Sequence, residues 1–189
     1  MSKTFSRLFF PNADLCKLSA RYWVATVLCL ISISISACER DSLPVREFRA
    51  VWVATVANID YPSQRTPDAG QLVKDWLELL DHHEQMGVNA LVVQIRPAAD
   101  ALYPSRLVPW SHYLTGEQGR PPYPADFDPL AFMIRETHAR GMEFHAWFNP
   151  FRATPTLDLS GLHPSHMLRQ HPDWFLAYGD KYYFNPAIT

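Results

Sequence analysis

Glycine and cysteine are scarce in this chain, with 7 of the first and 3 of the second among 189 residues. Cys16 and Cys29 stand early, and only Cys38 lies past the apolar run that ends at Ala37. A single remaining thiol excludes a disulfide framework and a cysteine-built zinc cluster. Charge of either sign is also thin: 17 basic and 19 acidic side chains leave a formal net of −2. No basic stripe points to a nucleic-acid partner. Internal repeats and low-complexity segments are missing too. What the chain does have is proline and aromatic residues, 16 prolines and 13 % aromatics, which favours a packed core with defined turns.

The first forty residues concern address. Lys3, Arg7, Lys17 and Arg21 make the start basic, and a mostly apolar run from Tyr22 to Ala37 ends in small residues. That order is the one of a cleavable export signal. The run is shorter than the ~20 residues of a membrane span. Ile35-Ser36-Ala37-Cys38 resembles the lipobox of bacterial lipoproteins, in which the cysteine is lipidated and begins the mature chain. The alternative is an ordinary signal followed by an incidental cysteine. The expected organisation is a signal peptide over 1–37, a lipidated tether over 38–45 and a folded part over 46–189. Glu39 stands where aspartate would favour inner-membrane retention, so a lipid anchor in the outer membrane, facing the periplasm, is expected.

Periodicity beyond the cysteine marks three βα-like units. Arg49 to Ala57 is an apolar run suited to a strand covered on both faces. Thr66-Pro67-Asp68 offers a cap, a first-turn proline and an early acid. Leu72, Val73, Trp76, Leu77, Leu80 and His83 then follow at helical spacing up to Gly87. A second strand is expected over Ala90 to Arg96. After a long loop, Asp128 and Pro129 open a helix that closes at Gly141, and a third strand follows over Glu143 to Phe148. A short helix around Ser165 to His171 and a fourth strand over Lys181 to Phe184 complete the reading.

Alternating strands and helices argue for a parallel sheet with right-handed crossovers. The fold class expected is α/β of the (β/α)8 TIM-barrel type. A whole barrel needs ~250 residues, so truncation after about four strands is expected. Instability or aggregation of the isolated 46–189 segment would follow from it. Apolar runs that end in polar groups before a proline, Gln94-Ile95-Arg96-Pro97 and Phe148-Asn149-Pro150, place a site for a hydroxyl-rich ligand at the strand ends. Alternation sets Val92, Gln94 and Arg96 on one face of the second strand. It likewise sets Glu143, His145, Trp147 and Asn149 on one face of the third.

Ordered blocks of residues then carry a family resemblance. Arg49-Ala50-Val51-Trp52-Val53-Ala54-Thr55, Gln94-Ile95-Arg96-Pro97, Asp100-Ala101-Leu102-Tyr103-Pro104-Ser105 and Pro109-Trp110-Ser111 are followed by Leu114-Thr115-Gly116 and Asp128-Pro129-Leu130. His138-Ala139-Arg140-Gly141, His145-Ala146-Trp147-Phe148-Asn149-Pro150 and Asn185-Pro186-Ala187 continue in the same order. From about Arg46 onward the chain resembles the glycosyl-hydrolase-like 10 family. The resemblance implies an envelope lipoprotein whose barrel hydrolyses O-glycosidic bonds of polysaccharide, such as cell-wall glycan strands. It implies a barrel that continues beyond Thr189, with the two working carboxylates of a glycosidase on later strands.

On that basis Gln94, Arg96, Asp100, His145, Asn149 and Asn185 are expected to meet sugar hydroxyls while Trp147 stacks on a pyranose ring. The competing readings are an Arg96–Asp100 ion pair, core packing for Trp147 and Trp52, and a satisfied interior role for His145. Asp60 and Asp100 read as loop aspartates, and neither is assigned as catalytic acid or nucleophile. His163, His166 and His171 have a spacing that suits two metal ligands, but Asn58-Ile59-Asp60 stands where a metal-dependent barrel would show a histidine pair. No metal and no cofactor is expected. A non-catalytic carbohydrate-binding lipoprotein, or an inactive fragment, is the alternative function.

Overall fold

The computed structural model describes residues 47–188. The export signal, Cys38 and the tether up to Arg46 lie outside the described residues. Strands β1 (Ala50–Val53), β2 (Ala90–Arg96) and β3 (Glu143–Phe148) form a parallel sheet in that order. Ala50 stands opposite Ala90, and Ala90 opposite Glu143. Helix α1 (Ala69–Gln85) connects β1 to β2. A long loop containing the one-turn helix α2 (His112–Thr115), then helix α3 (Pro129–Ala139), connect β2 to β3. The chain is thus α/β with a parallel sheet. Among the described residues the sheet has three strands and does not close on itself.

Helix α1 forms because its apolar residues repeat at helical spacing. Leu72, Trp76 and Leu80 are each fully buried, stacked four residues apart along one stripe. They meet Leu91, Val93 and Ile95 of β2, the face opposite Gln94 and Arg96, in one core that also takes Phe132 and Met133 of α3. Burying each such side chain stabilises by roughly 1.5–3 kcal/mol. The cap of α1 is Asp68, whose carboxylate accepts from Gly70 N at 2.9 Å. Pro67 therefore precedes the cap instead of sitting in the first turn, and Thr66 Oγ1 accepts from Asp68 N. Helix α3 opens as expected, with Asp128 accepting from Ala131 N and Pro129 at its first position. It closes where Gly141 takes φ +70° and Met142 N donates to Thr137 O, a backbone turn that glycine adopts without strain.

Three expectations about strands are corrected. The first strand ends at Val53, not Ala57, because the backbone beyond it is claimed by side chains. Asp60 takes Ala54 N at 2.7 Å, Gln94 Oε1 takes Thr55 N and Val56 N, and Val56–Asn58 turns as a 3-10 helix with Ala57 at φ 56°. Nor is β1 covered on both faces, since Trp52 is 66 % exposed on the side away from the helices. Lys181–Phe184 is a strand, β5, yet it does not join the parallel sheet. It pairs antiparallel with β4 (Phe175–Tyr178) in a hairpin of its own. Gly179, at φ +60°, and Asp180 make the two-residue turn, which forces antiparallel return. Between β3 and the hairpin, helix α4 (Met167–Gln170) packs Leu168 against Phe175 and Ala153.

Candidate functional site

The loops that leave the carboxyl ends of β2 and β3 enclose a cavity of about 360 Å³. Ala98, Asp100, His112 and Gln118 line it from the first loop, and Thr154 and Asp158 from the second. Gln118 joins the two walls: its Oε1 accepts from His163 N at 2.9 Å while its Nε2 lies 3.5 Å from Asp100 Oδ2. Next to it, Gly119 takes φ +86° with the His163 ring packed against its α-carbon, where any β-carbon would collide.

Asp100 is fully buried. Burial pushes its carboxyl up to about 6, against the opposing hydrogen bonds of the Ser111 side chain, Ala98 N and Gln118. The Ala98 N bond measures 3.1 Å and wraps the turn after β2 around the carboxylate. His112 moves the other way, down to about 4, because burial and then the nearby Arg65 charge disfavour the imidazolium. At neutral pH the cavity thus presents a neutral imidazole beside a mostly ionised but easily protonated carboxyl.

Gln94 and Arg96 share a face of β2 but do different things. Gln94 is fully buried, and its Oε1 and main-chain oxygen hold Thr55 and Val56, so it clamps the end of β1 to β2. Its amide Nε2 has no partner. Arg96 sits at the register shift between β2 and β3, a bulge that re-aims the side chain at the strand end. It forms no ion pair with Asp100, whose carboxyl is held by Ser111, Ala98 and Gln118 instead.

Trp147 and Asn149 stand beside Arg96 on the neighbouring strand end. Trp147 Nε1 donates to Asn149 Oδ1 at 2.9 Å, and Asn149 Nδ2 donates to Pro97 O at 2.9 Å. Asn149 N donates to Arg96 O, so the three residues form one ledge. The Trp147 ring meets Trp52 edge-on at 5.0 Å. His145 is apart from this group, about 13 Å down the strand from Asn149 at the usual rise. There it bonds Glu143 at 2.9 Å and meets Phe48 edge-on. Asn185 is also separate: its Oδ1 accepts from Ala187 N, and with Trp174, Phe184 and Ile188 it lines a cavity of about 320 Å³ beside the hairpin.

The three loop histidines have individual partners. His166 is fully buried, its Nδ1 accepting from Leu168 N and its Nε2 facing Ala98 O at 3.4 Å, so Nε2 carries the proton. Burial holds its ring below the usual histidine range. His163 Nδ1 bonds Ser165 Oγ, and His171 stacks on Trp174 at 4.0 Å. Among the described residues no three His, Cys, Asp or Glu side chains are grouped to hold a metal ion.

Residues 47–189 match the glycosyl hydrolase-like 10 family. The chain belongs to that family. It is 53 % identical over 144 residues to the Bacillus subtilis glycosyl hydrolase YngK, covering 76 % of this chain and 28 % of YngK. It is 28 % identical over 211 residues to the Escherichia coli K12 glycosyl hydrolase DigH, covering 93 % of this chain and 47 % of DigH. The DigH of another Escherichia coli strain, O6:H1, is 34 % identical over 166 residues. The chain therefore spans less than half the length of these curated relatives. In this member of the glycosyl hydrolase-like 10 family, sequence reasoning overlooked His112, Gln118 and Thr154. They sit in loops without periodicity, and the signal available for them was only that both loops leave carboxyl ends of parallel strands.

Proposed function

We propose that the chain is part of a glycoside hydrolase that acts on polysaccharide, with glycan strands of the cell wall as its substrate. The observation that carries this reading is the position of the polar cavity and of the Arg96–Trp147–Asn149 ledge. Both lie at the carboxyl ends of adjacent parallel strands, where α/β barrels bind their ligands. Family membership supports the same chemistry. The part assigned to these residues is to bind and orient sugar rings: Trp147 supplies an apolar face, and Arg96 and Asn149 supply polar edges. Hydrolysis would require two carboxylates flanking the scissile bond, and none is assigned here. A (β/α)8 barrel completes this sheet in the proposal.

The test is retention of the chain on purified glycan strands, with Trp147→Ala as the variant. Loss of the aromatic platform should weaken binding by roughly 1–3 kcal/mol while the thermal transition persists. Failure of the chain to bind any polysaccharide would sink the proposal. The proposed address is an outer-membrane lipid anchor at Cys38. A fatty-acid probe fed to producing cells should label the wild type and spare Cys38→Ser. Equal labelling of both would refute the anchor.

A further inference from the structure

We propose that Arg96 reads a carboxylate carried by a sugar residue of the glycan, so that the substrate is an acidic polysaccharide. This rests on the glycan-binding reading of the same strand ends and specifies its substrate class. A guanidinium stays charged at any pH that a protein survives, so partial burial requires a counter-charge or several acceptors. Arg96 has neither. Its Nε is buried without a hydrogen-bond partner. Among the described residues every ion pair belongs to some other cation, and no side-chain hydrogen bond runs from Arg96.

The surroundings of Arg96 fit an anion better than a neutral sugar. Arg96 lines a cavity of about 250 Å³ with Tyr103, Ser105, Val108, Met167 and Phe184. Ser105 Oγ already accepts from Leu107 N at 3.1 Å and Val108 N at 3.3 Å, which leaves its hydroxyl proton free to donate into the cavity. Tyr103 is part of the same wall. The wall therefore offers donors from a cation and the Ser105 hydroxyl, with mostly apolar side chains around them and no carboxylate. A neutral hydroxyl would satisfy part of that set. A carboxylate accepts through both oxygens, matches the planar fork of arginine and supplies the missing charge. The apolar rim lowers the local dielectric and strengthens the pairing.

Two sources carry this chemistry: a uronic acid, with the carboxylate on the ring, and a lactyl ether of an amino sugar, with the carboxylate on a side arm. The experiment measures affinity of the full chain for four probes by calorimetry: an oligouronide, its methyl ester, a neutral N-acetylglucosamine oligomer, and the same oligomer with alternate lactyl ethers. Each is tested against wild type, Arg96→Gln and Arg96→Lys, with the thermal transition recorded as a control for folding. The expected result is that one acidic probe binds wild type 10- to 100-fold better than its neutral partner. Arg96→Gln should erase that preference by weakening the acidic probe at least 10-fold more than the neutral one, and Arg96→Lys should fall between. Which acidic probe wins identifies the source. Equal binding of acidic and neutral probes, or a preference that survives Arg96→Gln, overturns the carboxylate assignment while the glycan reading stands. Binding of no probe by folded wild type overturns both.

Discussion

Asp100 and His112 line the same cavity and oppose one another in the pH dependence of folding. Asp100 has a folded value of about 6 against 3.8, so the folded state holds a proton that the unfolded chain releases. Its contribution is present below about pH 4 and is lost as pH rises through about 6. His112 has a folded value of about 4 against 6.5, so its contribution is present above 6.5 and is lost as pH falls towards 4. Asp100 is worth at most on the order of 3 kcal/mol across its window, and the only partly buried His112 less, because solvent screens it. In Asp100→Asn the histidine acts alone, and stability should climb more steeply from pH 4 to 6.5 than in wild type. In His112→Gln the slope should shift the opposite way, towards loss of stability with rising pH. Urea denaturation at a series of pH values checks both, and parallel profiles for all three proteins would contradict the burial argument.

At the level of elements, Arg140 ties α3 to α1. Just past the end of α3, its guanidinium contacts Asp81 at 2.8 Å, Glu84 at 3.6 Å and Glu136 at 3.7 Å, and its side chain is only 20 % exposed. An isolated surface pair contributes little, but here one partly covered fork meets three carboxylates from two helices. Arg140→Ala should therefore cost roughly 1–2 kcal/mol, more than an ordinary exposed pair, and the loss should shrink in high salt. A change below about 0.3 kcal/mol in denaturant titration would show the network to be inert. Trp76 is the apolar counterpart, fully buried between Tyr61 and Phe144. Trp76→Ala should cost about 3–5 kcal/mol in the same titration. A smaller loss would mean that the helix–sheet core collapses around the gap.

For the molecule as a whole, the parallel sheet has helices on one face. Among the described residues, β1 and β3 are its edges, and Trp52, at 66 % exposed, stands on the open face with Trp147 and His145. Parallel sheets are otherwise found covered on both faces, and open edges invite pairing between chains. The 189-residue chain on its own is expected to self-associate with rising concentration, and Trp52→Lys is expected to reduce it. Sedimentation measures this, and a wild-type monomer at all concentrations would refute it.

Most of the local structure of this protein follows from neighbours along the chain. Three strands, two amphipathic helices, the Asp128–Pro129 start and the Gly87 and Gly141 ends were legible because period, capping and turn preference act between residues a few positions apart. The alternation of faces along β2 and β3 was legible for the same reason, and so was family membership, since it rests on ordered blocks of residues. What each polar residue does on its face depends instead on contacts between segments far apart in sequence. Gln94 and Arg96 are two positions apart and equivalent by alternation. One is consumed in clamping the end of β1 and the other is left unpartnered, because what meets each side chain comes from chain distant in sequence. The pairing of Lys181–Phe184 belongs with the local features, because Gly179-Asp180 is a hairpin turn that returns the chain antiparallel. Asp100 acquires its raised value only when the loops bury it, against the lowering effect of its hydrogen bonds with Ser111, Ala98 and Gln118. Burial and long-range hydrogen bonding set ionisation and accessibility, and neither is a property of neighbours along the chain.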